Sequence, residues 1–229
     1  MSEHYIAKKL KWDIYGAFDG IPDIKKVLEE ELAQIPKEHS RKWAKVERWL
    51  AQVTDVLKKL EYIEKILIPK IMDAFHYEFE SPDLVKVIFF QPSIKKLFDE
   101  LVIHFNANEI TVGADFEVLC NIGEAAKVMA LLGDSTLGLA AVQAYWEAKI
   151  SRVGNISQKR AALVSNENLA RTCERLDLYD YRIHDTFDQE PQNEEKIAHV
   201  KGTLIEGIYG IIYAEKGIDA VFDALIAIK

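Results

Sequence analysis

Between Arg41 and Phe75, apolar residues recur at three- and four-residue intervals: Val46, Leu50, Val53, Leu57, Leu60, Leu67 and Ile71, interrupted only at Glu64. This period lays one stripe along an α-helix and fits no strand. Trp49, Val56 and Ile63 widen the stripe beyond a coiled-coil seam, so the helix must pack on several neighbours. Pro69 lacks an amide hydrogen and is expected to kink or end it. Alternating strand-like runs are scarce, and only 6 prolines and 11 glycines punctuate 229 residues. The expected fold class is all-α.

Other segments agree. "GIPDIKKVLEEELAQIP" reads as a short helix bounded by prolines, and "ESPDLVKVIFFQPSIKKLFDELVIHF" as two helices, with Pro92 opening the second. After the turn-rich "NANEITVGADFEVL" comes a long apolar helix containing "KVMALLGDSTLGLAAV". In the next block, Ser157 is a candidate N-cap, Ser165 or Asn166 caps a further helix, and Leu169, Cys173 and Leu176 line one face. A polar loop, "HDTFDQEPQNEE", precedes two helices broken around Lys216 and Gly217.

Composition bounds the function. At 49% hydrophobic and 29% charged, the chain can bury a core. No stretch of about 18 unbroken apolar residues suggests a membrane span, and the start lacks a secretory h-region. Cys120 and Cys173 lie far apart in helix-like surroundings, so a reduced, cytoplasmic protein is expected. A net charge of -8 argues against a surface coated in basic charge for nucleic acid, without excluding a basic groove. The lysine clusters (Lys8, Lys9 and Lys11; Lys58 and Lys59; Lys95 and Lys96) read as solvated helix faces.

Two acids stand inside apolar helices: Asp134, and Glu206 in "TLIEGIYGIIY". An ionised carboxylate in apolar surroundings is costly unless paired or bound to metal. Glycines flank both: Gly133 and Gly138 near the first, Gly202, Gly207 and Gly210 near the second. A helical glycine costs about 1 kcal/mol, which is worth bearing where two helices approach closely. Two such helices crossing would form a metal cradle. A salt-bridged or capping acid at a crossing is the plainer alternative.

Four blocks carry a family resemblance. "DLVKVIFFQPSI", "ALLGDSTLGLAAVQAYW", "GNISQKRAALVSNENLARTCERLDL" and "GTLIEGIYGIIYAEKG" resemble the opening helix, signature, leucine-serine turn and closing helix of the ribonuclease III endonuclease domain. They lie in the family's order across residues 81–229. Residues 1–80 are left as a helical N-terminal extension. The stop at Lys229 resembles the mini-ribonuclease III arrangement, without a C-terminal double-stranded-RNA-binding domain.

The resemblance implies a homodimer whose valley holds duplex RNA. It also implies carboxylates that hold magnesium or manganese, which activates water against a phosphodiester. The family's acids fall on Asp134 and Glu206, but also on Ala130 and Thr203, so two of four are lost. A further acid falls on Lys127, the usual His-Arg pair becomes Gln91-Pro92, and a glutamate becomes Val153. Positions 127, 130 and 134 share a helix face. The ammonium of Lys127 is therefore expected to reach Asp134 and Glu206 and close the site. An alternative set adds His199 or Thr203 to the two acids, which with histidine would suit manganese or zinc. Arg152, Lys159, Arg160 and Arg171 are the candidate RNA contacts. Nothing points to DNA or to a membrane. The favoured expectation is a protein that binds or scaffolds structured RNA with impaired cleavage. An active metal-dependent endonuclease and a protein-interaction dimer that has left RNA are the alternatives.

Overall fold

The computed structural model describes residues 16–36, 38–146, 152–186 and 193–229. Lys8, Lys9 and Lys11, together with part of the polar loop, lie outside them. Among the described residues every regular element is helical, apart from one isolated parallel bridge between Phe90 and Ile183.

The short proline-bounded helix is α1 (Ile21–Gln34), and the periodic stripe becomes α2 (Ser40–Tyr62) and α3 (Ile68–Phe75), these two joined by a π turn at Ile63–Leu67. Pro69 sits in the first turn of α3, where a missing amide hydrogen costs least. The widened turn before it absorbs the mismatch, so the helix axis continues instead of ending. Val46, Trp49, Val53, Val56, Leu60, Leu67 and Ile71 are all buried. Next come α4 (Pro82–Val87), a 3-10 turn at Pro92–Ile94, and α5 (Lys95–Ala107).

The centre of the molecule is α6 (Phe116–Tyr145), capped by the Asp115 carboxylate, which accepts from the Val118 amide. By length and composition alone α6 is long enough and apolar enough to cross a membrane, yet half of its most apolar stretch is buried inside this fold. Short α7 (Val153–Leu163) and α8 (Asn166–Arg175) follow. Ser165 caps α8 through its hydroxyl, which accepts from the Asn168 amide at 3.2 Å. Ser157 does not cap α7, because that helix already begins at Val153. Long α9 (Glu194–Lys216) ends at Gly217, whose φ of 81° and ψ of -167° break the chain direction before α10 (Ile218–Asp223).

A single hydrophobic core runs from Ala17 to Ile228 and takes in the N-terminal helices. Polar ties reinforce this join. Gln52 on α2 donates to Thr186 at 2.8 Å and Lys59 to the Arg182 carbonyl at 2.9 Å. Both cysteines are free thiols, Cys173 fully buried.

Candidate two-carboxylate site at a helix crossing

The glycines determine how α6 and α9 meet. A β-carbon on Gly210 would stand 2.0 Å from the Met129 carbonyl oxygen, and one on Gly133 would overlap the backbone of Glu206. Neither position admits a side chain, so the two helices touch backbone to backbone. Gly207 serves a different neighbour, leaving room for the Ile88 side chain.

This contact fixes the two acids. Asp134 follows Gly133 and points outward from the crossing, exposed. Glu206 is the residue Gly133 touches, and it is half-buried. Burial, with a smaller contribution from the neighbouring Asp134 charge, pushes the Glu206 carboxyl up to about 7. Desolvation and a like charge both disfavour the ionised form. Near neutral pH the Glu206 carboxyl therefore keeps its proton for a substantial part of the time.

The remaining sequence candidates distribute differently. Lys127 does not close the site. Its ammonium lies 3.0 Å from a Glu124 carboxylate oxygen, and the pair is exposed. Asp134 is two turns away along the axis, whereas Glu124 is one turn away, and the nearer acid wins. Thr203 donates its hydroxyl to the His199 carbonyl at 3.0 Å, one turn back in its own helix. His199 is exposed, and among the described residues no group of three His, Cys, Asp or Glu side chains stands where it could hold a metal ion. Ala130 is buried and contributes only a methyl group. The donor set is thus two carboxylates. It does not fit a hard divalent cation that takes several charged oxygens.

Arg152, Lys159, Arg160 and Arg171 are all exposed. The Lys159 ammonium lies 5.5 Å over the Tyr145 ring. The Arg160 guanidinium lies across Gly138, where a β-carbon would come within 2.7 Å of it. Arg171 donates to Asn168 at 3.1 Å. Lys159 and Arg160 therefore border the C-terminal half of α6, Arg152 has no such contact among the described residues, and Arg171 belongs to α8.

Sequence reasoning missed two buried acids, Asp185 and Glu215. Glu215 accepts from the Tyr77 hydroxyl and from the amides of Glu80 and Ser81, each at 3.0 Å. It holds the turn that leads into α4. Within "YAEKG" it reads as an ordinary polar helix end, and no local signal marks it.

Residues 127–217 match the family model of the Ribonuclease III domain. Proteins called Ribonuclease 3 from Brucella canis, Brucella suis and Brucella abortus are each 30% identical to this chain over 90 residues, covering 39% of this chain and 36% of theirs. The all-helical fold is consistent with the helical fold of the ribonuclease III domain. The stretch from residue 127 to 217 belongs to the ribonuclease III family. The chain spans about a third of the length of the curated relatives it matches.

Proposed function

We propose that this protein binds or scaffolds double-stranded RNA as a homodimer, and that its RNA cleavage is impaired. The observation that carries the reading is the pair Asp134 and Glu206, with a methyl group at Ala130 and a hydroxyl already engaged at Thr203. Two carboxylates, one of them protonated for much of the time near neutral pH, supply too little negative charge to hold magnesium firmly.

The dimer is supported by an apolar face on α6. Val128, Leu131 and Leu139 are exposed on one side of the helix, Leu131 at 68%, and Trp146 just beyond its end is 71% exposed. An apolar surface of this kind on a folded chain marks an interface. A second copy applied about a two-fold axis would cover both faces at once. RNA binding is supported by the cations beside α6, since duplex RNA is recognised through shape and phosphates more than through base edges.

The test incubates pure protein with a labelled RNA duplex and magnesium or manganese, following cleavage and gel shift together. A salt-sensitive shift with intact RNA is expected. Cleavage that Asp134→Asn or Glu206→Gln abolishes would instead establish an active nuclease. Neither shift nor cleavage at low salt would leave a protein-interaction dimer.

A further inference from the structure

Four positions of α6 fall on one stripe. Lys127, Asp134, Gly138 and Tyr145 lie within about 40° of one another around the helix axis. Asp134 stands here with Glu206 beside it. Gly138 is covered by the Arg160 guanidinium and Tyr145 by the Lys159 ammonium. Cations therefore occur at three levels along this edge, the second about 16 Å and the third about 27 Å from Lys127 by helical rise. The carboxylate pair lies between the first two. Among the described residues Glu124 also stands beside the stripe, and it is engaged with Lys127.

The charges on this edge matter for a phosphate backbone. The family resemblance puts acids at 127, 130 and 134, where a phosphate could approach only with a bridging cation. Here those three positions are lysine, alanine and aspartate, whose formal charges sum to zero before the flanking Glu124 and Glu206 are counted. The ammonium of Lys127 is 57% exposed, and its partner Glu124 is 63% exposed. An exposed pair three residues apart is weak and screened by salt, so a phosphate can take the ammonium from it.

The geometry points to a metal-independent phosphate seat. Lys127, exposed on the α6 edge two turns from Asp134, contacts the RNA backbone directly as a fixed cation, in line with Arg160 and Lys159. This inference rests on the RNA-binding reading above and specifies how that binding is achieved.

Fluorescence anisotropy of the full chain with a labelled blunt RNA duplex tests it, in EDTA and in magnesium. Affinity is expected to agree within about twofold between the two buffers. Lys127→Glu is expected to weaken binding in EDTA about tenfold or more, and to make it improve on adding magnesium. Lys127→Ala should reduce the salt slope by about one, as the loss of one phosphate contact does. A double variant, Lys127→Glu with Glu124→Lys, keeps the surface ion pair and so controls for folding. Its binding should fall with that of the single variant. Binding by the native protein that is lost in EDTA overturns the inference while sparing the RNA-binding reading, as does unchanged affinity in Lys127→Glu. No binding of the native protein in either buffer overturns both.

Discussion

A β-carbon added to Gly133 would stand 1.7 Å from the backbone carbonyl oxygen of Glu206. In most helices glycine to alanine stabilises, by up to about 1 kcal/mol. Here the added methyl meets backbone that cannot swing aside. Gly133→Ala is expected to destabilise by about 3 kcal/mol or more, as severe overpacking does. Gly210→Ala should behave alike. In α7, Gly154 has nothing within 4 Å of an added β-carbon, so Gly154→Ala should stabilise by about 0.5 kcal/mol. Opposite signs in a thermal melt of the three variants check the crossing directly.

Glu206 makes stability depend on pH with a definite sign. Its carboxyl is raised from 4.5 to about 7 in the folded chain, so the folded state holds the proton more tightly than the unfolded state. The cost of ionising it is absent below about pH 4.5, grows between pH 4.5 and 7, and is complete above that. Glu206→Gln should therefore stabilise at pH 8, by on the order of 2 kcal/mol once solvent screening is allowed for. At pH 4 the two proteins should unfold at the same urea midpoint. A native protein that gains stability from pH 5 to 8 relative to the glutamine variant would show that Glu206 is paired with a cation.

Glu215 anchors the turn before α4 through three donors. Removing the carboxylate strands the amides of Glu80 and Ser81 and the Tyr77 hydroxyl. Glu215→Ala should cost about 3 kcal/mol, and Glu215→Gln less, since it retains one acceptor oxygen. Denaturant midpoints of the two variants measure the difference.

Restoring the missing acids tests what they do. Ala130→Glu with Thr203→Asp adds two carboxylates beside Asp134 and Glu206. The double variant is expected to bind manganese with higher affinity as pH rises from 6 to 8, because the metal must displace the proton that burial holds on Glu206. The same change should lower thermal stability in metal-free buffer through like-charge repulsion, and metal should recover it.

Much of this was legible in the sequence, for physical reasons. The stripe from Val46 to Ile71 has helical period, and periodicity is what burial imposes on a sequence. The paired glycines announced a close crossing, because their cost is repaid only by contact. Other features had no such signature. The effect of Pro69 is spread over the preceding turn, so a π turn replaced the expected break. α7 buries little beyond Leu163, so no apolar stripe marks its start and Ser157, inside the helix, resembles a cap in the sequence. Helix face alone points Lys127 toward Asp134 two turns away, whereas the acid one turn away, Glu124, holds it. Which of two nearby acids a lysine chooses depends on local spacing more than on helix face.

The central claim is that Asp134 and Glu206 do not hold a divalent ion. Isothermal titration of manganese into the native protein at pH 8, where Glu206 is largely ionised, measures it most directly. The account predicts no saturable heat beyond the weak background that an Asp134→Asn control also shows. Tight, stoichiometric binding that this substitution removes would contradict it.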